Sequence, residues 1–199
     1  MSHRLCTLAF PTDTPHHLST HAFLCPTRVV WVTTPPKSPI PDTPVAPVTH
    51  ERVAELLESE GLQYRLESAP VTDGDQPVTV VRTGFINAAI AFTVDGPSLV
   101  CESMWRGEVP KSEAPKLLGL VNEWNQTQYM PTLRFFESAA GQGHLTVSAH
   151  RQTYVVEGLS RNQIGAFIMS SLDGVLRAYE WVEKQLPEQV TWEEPTNEQ

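Results

Sequence analysis

Residues 154–186 read YVVEGLSRNQIGAFIMSSLDGVLRAYEWVEKQL, and the rest of the chain is legible outward from that stretch. Tyr154 to Glu157 has strand character, and Gly158 carries the chain to Ser160. From there Ile164, Phe167, Ile168, Leu172, Val175, Tyr179 and Val182 recur at steps of three and four. That spacing lines one face of a helix of about seven turns. Ser160 followed three positions on by Gln163 has the form of a capping box, in which each side chain satisfies a main-chain donor at the helix start. Pro187 ends the pattern.

Upstream, the apolar periods alternate between helix and strand. Thr49 can cap a helix carrying Glu51 in its first turn and Val53, Leu56 and Leu57 on one face, with Gly61 to stop it. Residues 62–66 alternate as a half-buried strand does, and a loop follows over 68–77. Residues 78–83, 87–94 and 99–105 then read as an antiparallel meander. Asp95-Gly96 favours a hairpin between the last two, and Pro97 predicts a loop longer than two residues. After a loop over 108–112, Ser112 is placed to cap a second helix with Leu117, Leu118, Val121 and Trp124 on its apolar face. Residues 133–136 and 145–157 supply two more strands. The order α-β-β-β-(β)-α-β-β-α describes an α+β fold, an antiparallel β-sheet packed by helices.

Residues 1–48 hold over half of the seventeen prolines, with Pro35, Pro36, Pro39, Pro41, Pro44 and Pro47 closely spaced. Such a stretch continues neither helix nor ladder, so 1–48 is expected to be a disordered extension. A translation start near Val45 or Val48 is the alternative reading of the same stretch. The folded domain is expected over 49–187, and 188–199 as an acidic, flexible tail.

The formal charge of −9 argues against a nucleic-acid partner, because Lys and Arg do not cluster in the sequence to offset it. No apolar run approaches the roughly 18 residues of a membrane span, and Pro11, Asp13, Pro15, His16 and His17 interrupt any secretory h-region. Cys6, Cys25 and Cys101 form no C-x-x-C pair, which leaves neither a disulfide framework nor a zinc ribbon. A cytoplasmic protein without cofactor or metal is the expectation.

Valine 121 through Asn122-Glu123-Trp124-Asn125, then Pro131, a strand pair, Glu157-Gly158-Leu159-Ser160 and the long helix ending at Leu186-Pro187 together resemble the YbjN family, also known as bacterial sensory transduction regulators. The resemblance covers about residues 49–187, and actinobacterial members are the most similar. It implies a type III secretion chaperone-like fold and a tendency to dimerise. The family brings no catalytic residues to transfer, and the proline-rich extension departs from its pattern.

Each candidate site has a plain structural alternative. His16, His17 and His21 with Cys25 have ligand-type spacing, but prolines flank them. His144 and His150 share a strand face about 20 Å apart, too far for one metal, and read as solvent-facing imidazoles. Cys101 and Glu102, as strand neighbours, point to opposite faces and cannot act as nucleophile and base. Asp73 and Asp75 offer oxygens without the rest of a calcium loop. Trp105, Arg106, Trp124, Asn125 and Tyr179 are the candidate partner-binding residues, with core packing as the alternative for the tryptophans and a helix-to-loop tie for Asn125. The outward residues Ala89, Ala91 and Thr93, or an uncovered part of the long helix, would suit a second copy of the chain, so a homodimer is expected.

The function read from this pattern is a non-catalytic, protein- or peptide-binding regulatory module, not an enzyme. The competing reading is a small-molecule sensor or enzyme with a pocket between sheet and helices, anchored by Glu102, Arg106, Arg134 or Tyr154.

Overall fold

In the computed structural model, residues 42–69, 78–138, 143–190 and 192 are described. The long helix α3 runs Arg161–Gln185, and its start is the capping box that the sequence spells: Ser160 Oγ accepts from Gln163 N, and Gln163 Oε1 accepts from Ser160 N. Ile164, Phe167, Ile168, Leu172, Val175, Tyr179 and Val182 are all buried. Each such side chain removed from water stabilises the fold by about 1.5–3 kcal/mol. The stripe packs on a seven-stranded sheet of β1 Arg65–Ala69, β2 Val78–Gly84, β3 Ala88–Asp95, β4 Ser98–Trp105, β5 Val109–Pro110, β6 Thr132–Glu137 and β7 His144–Tyr154. Helix α1, His50–Ser59, and helix α2, Ala114–Thr127, complete the α+β architecture.

Every strand pair is antiparallel, in the order β1-β2-β3-β4-β7-β5, with β6 on the other side of β7. Alternation sends Ile90, Phe92, Leu99, Cys101, Val147 and Ala149 into the core. Ala89, Ala91, Thr93, Val100, Glu102 and Met104 take the opposite, half-exposed to exposed face. The Asp95↔Ser98 register leaves only Gly96 and Pro97 between β3 and β4, a two-residue turn where a longer loop was expected. Gly96 has φ +50°, and the fixed negative φ of Pro97 suits the second central position of a turn that opens on glycine.

Three further expectations are corrected. Ser112 does not cap α2: it lies in a 3-10 turn, Lys111–Glu113, and no side chain caps the helix. The chain is already committed there, since β5 pairs with β7 and Lys111 N donates to Gly143 O.

Residues 42–48, expected to belong to the disordered extension, instead strap the start of α3. Asp42 accepts from Ser160 Oγ and Asn162 N, Thr43 Oγ1 accepts from Arg161 N, and Ala46 pairs with Leu159. Arg52 clamps the strap by donating to Ala46 O, Pro47 O and Leu159 O, each at 2.8 Å. Gly158, at φ +81°, passes so close that a Cβ there would stand 2.3 Å from Ala46 O. Residues 1–41 of the expected extension, with the His16, His17, His21 and Cys25 set, lie outside the described residues, as do Asp73 and Asp75.

The tail past Pro187 also differs from the expected fraying over its first residues. Pro187–Gln189 forms a 3-10 turn, and Val190 and Trp192 pack against the core, Trp192 meeting Trp105 edge-on at 5.8 Å.

Candidate functional site

Three of the five candidate partner-binding residues are core residues. Trp105 is buried, with its Nε1 donating to Glu183 Oε1 at 3.1 Å. Trp124 is buried, donates to Pro131 O at 2.9 Å and packs on Trp181. Tyr179 is fully buried, its hydroxyl 2.8 Å from Ser103 Oγ, and burial raises its pKa. All three are buried, and of them Trp124 borders an open cleft together with Trp181 and Arg177. Asn125 is exposed, but its amide is spent on the backbone of Leu133: Nδ2 donates to Leu133 O and Oδ1 accepts from Leu133 N, both at 2.8 Å. Arg106 is exposed at the surface just past β4.

Most of the apolar stripe of the long helix is buried within the chain, with Leu176 half-buried and Met169 exposed on the same helix. The open face of the sheet is different. Ala89, Ala91 and Thr93 lie there opposite Met104, Glu102 and Val100 of β4, and Met104 and Phe136 are large apolar side chains exposed to solvent.

His150 is not the plain solvent-facing imidazole expected: its Nδ1 stands 2.6 Å from Glu102 Oε2, with only 20% of its side chain exposed. Cys101, next in the chain to Glu102, faces the core, and burial pushes its thiol up to about 12. A thiol so placed is inert at neutral pH. Among the described residues no group of three His, Cys, Asp or Glu side chains gathers as a metal site would.

A wide opening lies where β6 stops short of β7. β6 reaches only as far as Thr132, opposite His150, whereas β7 continues to Tyr154. Because Leu133 turns its main-chain groups toward Asn125, it is Thr132, Arg134 and Phe136 that bond to β7. The same two-residue alternation aims the main-chain groups of Gln152 and Tyr154 into the space beyond β6.

That space is a cleft of about 560 Å³ lined by Tyr129, Met130, Thr132, Arg134, His150, Arg151, Gln152, Thr153 and Phe167. Its floor is held rigidly. Arg151 donates to Ser170 Oγ at 2.6 Å and Ser171 Oγ at 3.0 Å, and its guanidinium lies 4.9 Å from the centre of the Phe167 ring. Burial lowers the Arg151 pKa from its ordinary value, and a guanidinium stays charged at neutral pH. Arg134 and Tyr129 are exposed at the rim.

The four residues proposed as anchors of a common pocket do not converge. Arg134 lines this cleft, Arg106 lines a different one, Tyr154 lines neither, and Glu102 reaches this cleft only through its contact with His150. The cleft itself was missed in the sequence, where the only hint was that the last strand is longer than the one before it. What the arrangement offers chemically is a strip of main-chain donors and acceptors without a strand partner among the described residues, beside two guanidinium groups and an aromatic ring.

A family model described as "YbjN: Putative bacterial sensory transduction regulator" matches residues 49–184. No curated protein matches the sequence. Among solved structures, the chain is similar to one titled "Crystal structure of YbjN, a putative transcription regulator from E. coli", with a TM-score of 0.54 at 10% identity, over 73% of this chain and 97% of that one. At that identity the likeness is one of fold.

Proposed function

This chain belongs to the YbjN family, and on that premise we propose that it is a non-catalytic regulatory module that holds an extended, acidic segment of a partner protein against the free rim of β7. The observation that carries the reading is the register of β7, which turns the main-chain groups of Gln152 and Tyr154 away from β4 and toward the cleft, where no strand meets them among the described residues. An added strand gains affinity from main-chain hydrogen bonds and specificity from side-chain pockets. Arg134 and Arg151 at the cleft favour acidic side chains in the added segment, on a chain whose overall charge of −9 would repel them elsewhere. A second copy of the chain is proposed to cover the open sheet face around Ala89, Ala91 and Met104. Exposed Met104 and Phe136 support that assignment, and sedimentation of the full chain at tens of micromolar tests it, a pure monomer being the adverse result.

Peptides selected from a random displayed library against the full chain, then titrated into isotope-labelled protein, test the docking role. The expected result is an enriched acidic motif that shifts the amide signals of Gln152 and Tyr154, with binding lost in Arg134→Glu. Failure to enrich any motif, or shifts confined to another surface, would overturn it.

A further inference from the structure

Three arginines far apart in sequence meet at the other end of the sheet. Arg65 on β1 lies directly opposite Arg82 on β2, and like charges in that relation destabilise a strand pair. Arg106, just past β4, joins them, and the three line one cleft of about 300 Å³ with Tyr64, Thr83 and Phe85. A single carboxylate answers them: Glu67 Oε2 stands 2.6 Å from Arg82 Nε, and Glu67 Oε1 stands 3.7 Å from Arg65. Arg106 makes no ion pair among the described residues, and its Nε donates to Phe85 O at 3.3 Å. Two of the three positive charges are therefore left without a carboxylate of their own among the described residues.

The geometry points to a binding site for a compact anion of the phosphate class, held by Arg65, Arg82 and Arg106. A guanidinium presents paired N–H groups that match two oxygens of a phosphoryl group. Arg106 is steered into place by the bond to Phe85 O, on the same β2–β3 connection that lines the cleft. The half-buried rings of Tyr64 and Phe85 border the site and suit a ligand with an apolar or ring portion beside its phosphate. Such a site gives the chain a small-molecule input separate from the peptide rim of β7.

Pyrophosphate titrated into the isotope-labelled full chain at low ionic strength, where exposed charges are least screened, tests the assignment. The expected result is saturable binding that shifts the signals of Arg65, Thr83, Phe85 and Arg106. Arg106→Gln and Arg65→Gln each weaken it by roughly ten-fold, the loss of one charged hydrogen bond, and Glu67→Gln tightens it. Arg65 has 80% of its side chain exposed, so its variant keeps the fold. Non-saturating shifts, or affinity unchanged in both arginine variants, would overturn the site. Citrate binding as tightly as pyrophosphate would overturn its assignment to phosphates.

Discussion

Asn125 is bonded to Leu133 as a neighbouring strand would be. Its amide oxygen takes the Leu133 N–H and its amide nitrogen meets the Leu133 carbonyl, each at 2.8 Å. β6 is a rim strand, and a rim strand presents unpaired main-chain groups to any chain that can align with them. One side chain from α2 closes that rim at Leu133 and ties helix to sheet. Asn125→Ala is expected to cost about 1–2 kcal/mol in denaturant unfolding and to add concentration-dependent self-association through β6. Asn125→Asp keeps the acceptor but sets a carboxylate oxygen against the Leu133 carbonyl, so it should cost at least as much. A variant as stable and as monodisperse as the parent would refute the role.

The strap at residues 42–48 is tied by a carboxylate whose pKa is lowered from 3.8, first by the Ser160 hydroxyl and then by the Asn162 amide. A group with a depressed folded pKa contributes stability that is fully present above the unfolded value and is lost as pH falls through the folded one. The strap should therefore hold above about pH 4 and loosen below it. Followed by amide shifts, Asn162 and Thr43 are expected to titrate together with a midpoint below 3.8. In Asp42→Asn that titration disappears and the strap is looser at neutral pH. A midpoint at or above the ordinary value would contradict the assignment.

Why some of this was legible in advance and some not follows from the range of the interactions. The cap and stripe of α3 depend on residues within one or two turns of each other, so spacing alone discloses them, and the meander of β2 to β4 is disclosed by alternation in the same way. The strap was misread because proline content says nothing of Arg52, whose guanidinium joins Ala46 to Leu159 across more than a hundred residues. Asn125 was noticed as an amide tying helix to loop, but its partner Leu133 could not be named from sequence. The cleft exists because two paired strands differ in length. The arginine cluster exists because a register brings Arg65 to Arg82. Both are facts of pairing that no local pattern contains. Trp105, Trp124 and Tyr179 drew attention as large amphipathic side chains, and each uses its polar atom inside the core, the ordinary way such groups tolerate burial.

Cys101 makes a cleaner probe of global stability than of chemistry. It is wholly buried, with its thiol pushed up to about 12. Alkylation of Cys101 at pH 8, read peptide by peptide in a mass spectrometer, is expected only as fast as the sheet opens, and at once in denaturant. Rapid labelling of Cys101 in the native protein would mean that β4 is far less firmly held than its central place in the sheet requires.

The rim of β7 can be tested without disturbing its other side. Alternation gives the main-chain groups of Arg151 and Thr153 to β4, while those of Gln152 face the cleft. Proline at a rim-facing position removes one N–H that meets no partner strand among the described residues, which is where a strand tolerates proline. Gln152→Pro is therefore expected to keep the cooperative unfolding of the parent to within about 1 kcal/mol, while an added peptide strand, deprived of a main-chain donor and sterically crowded, binds at least ten-fold more weakly. Equal loss of fold and of binding would show that Gln152 belongs to the internal ladder, and undiminished binding would remove the rim from the docking surface.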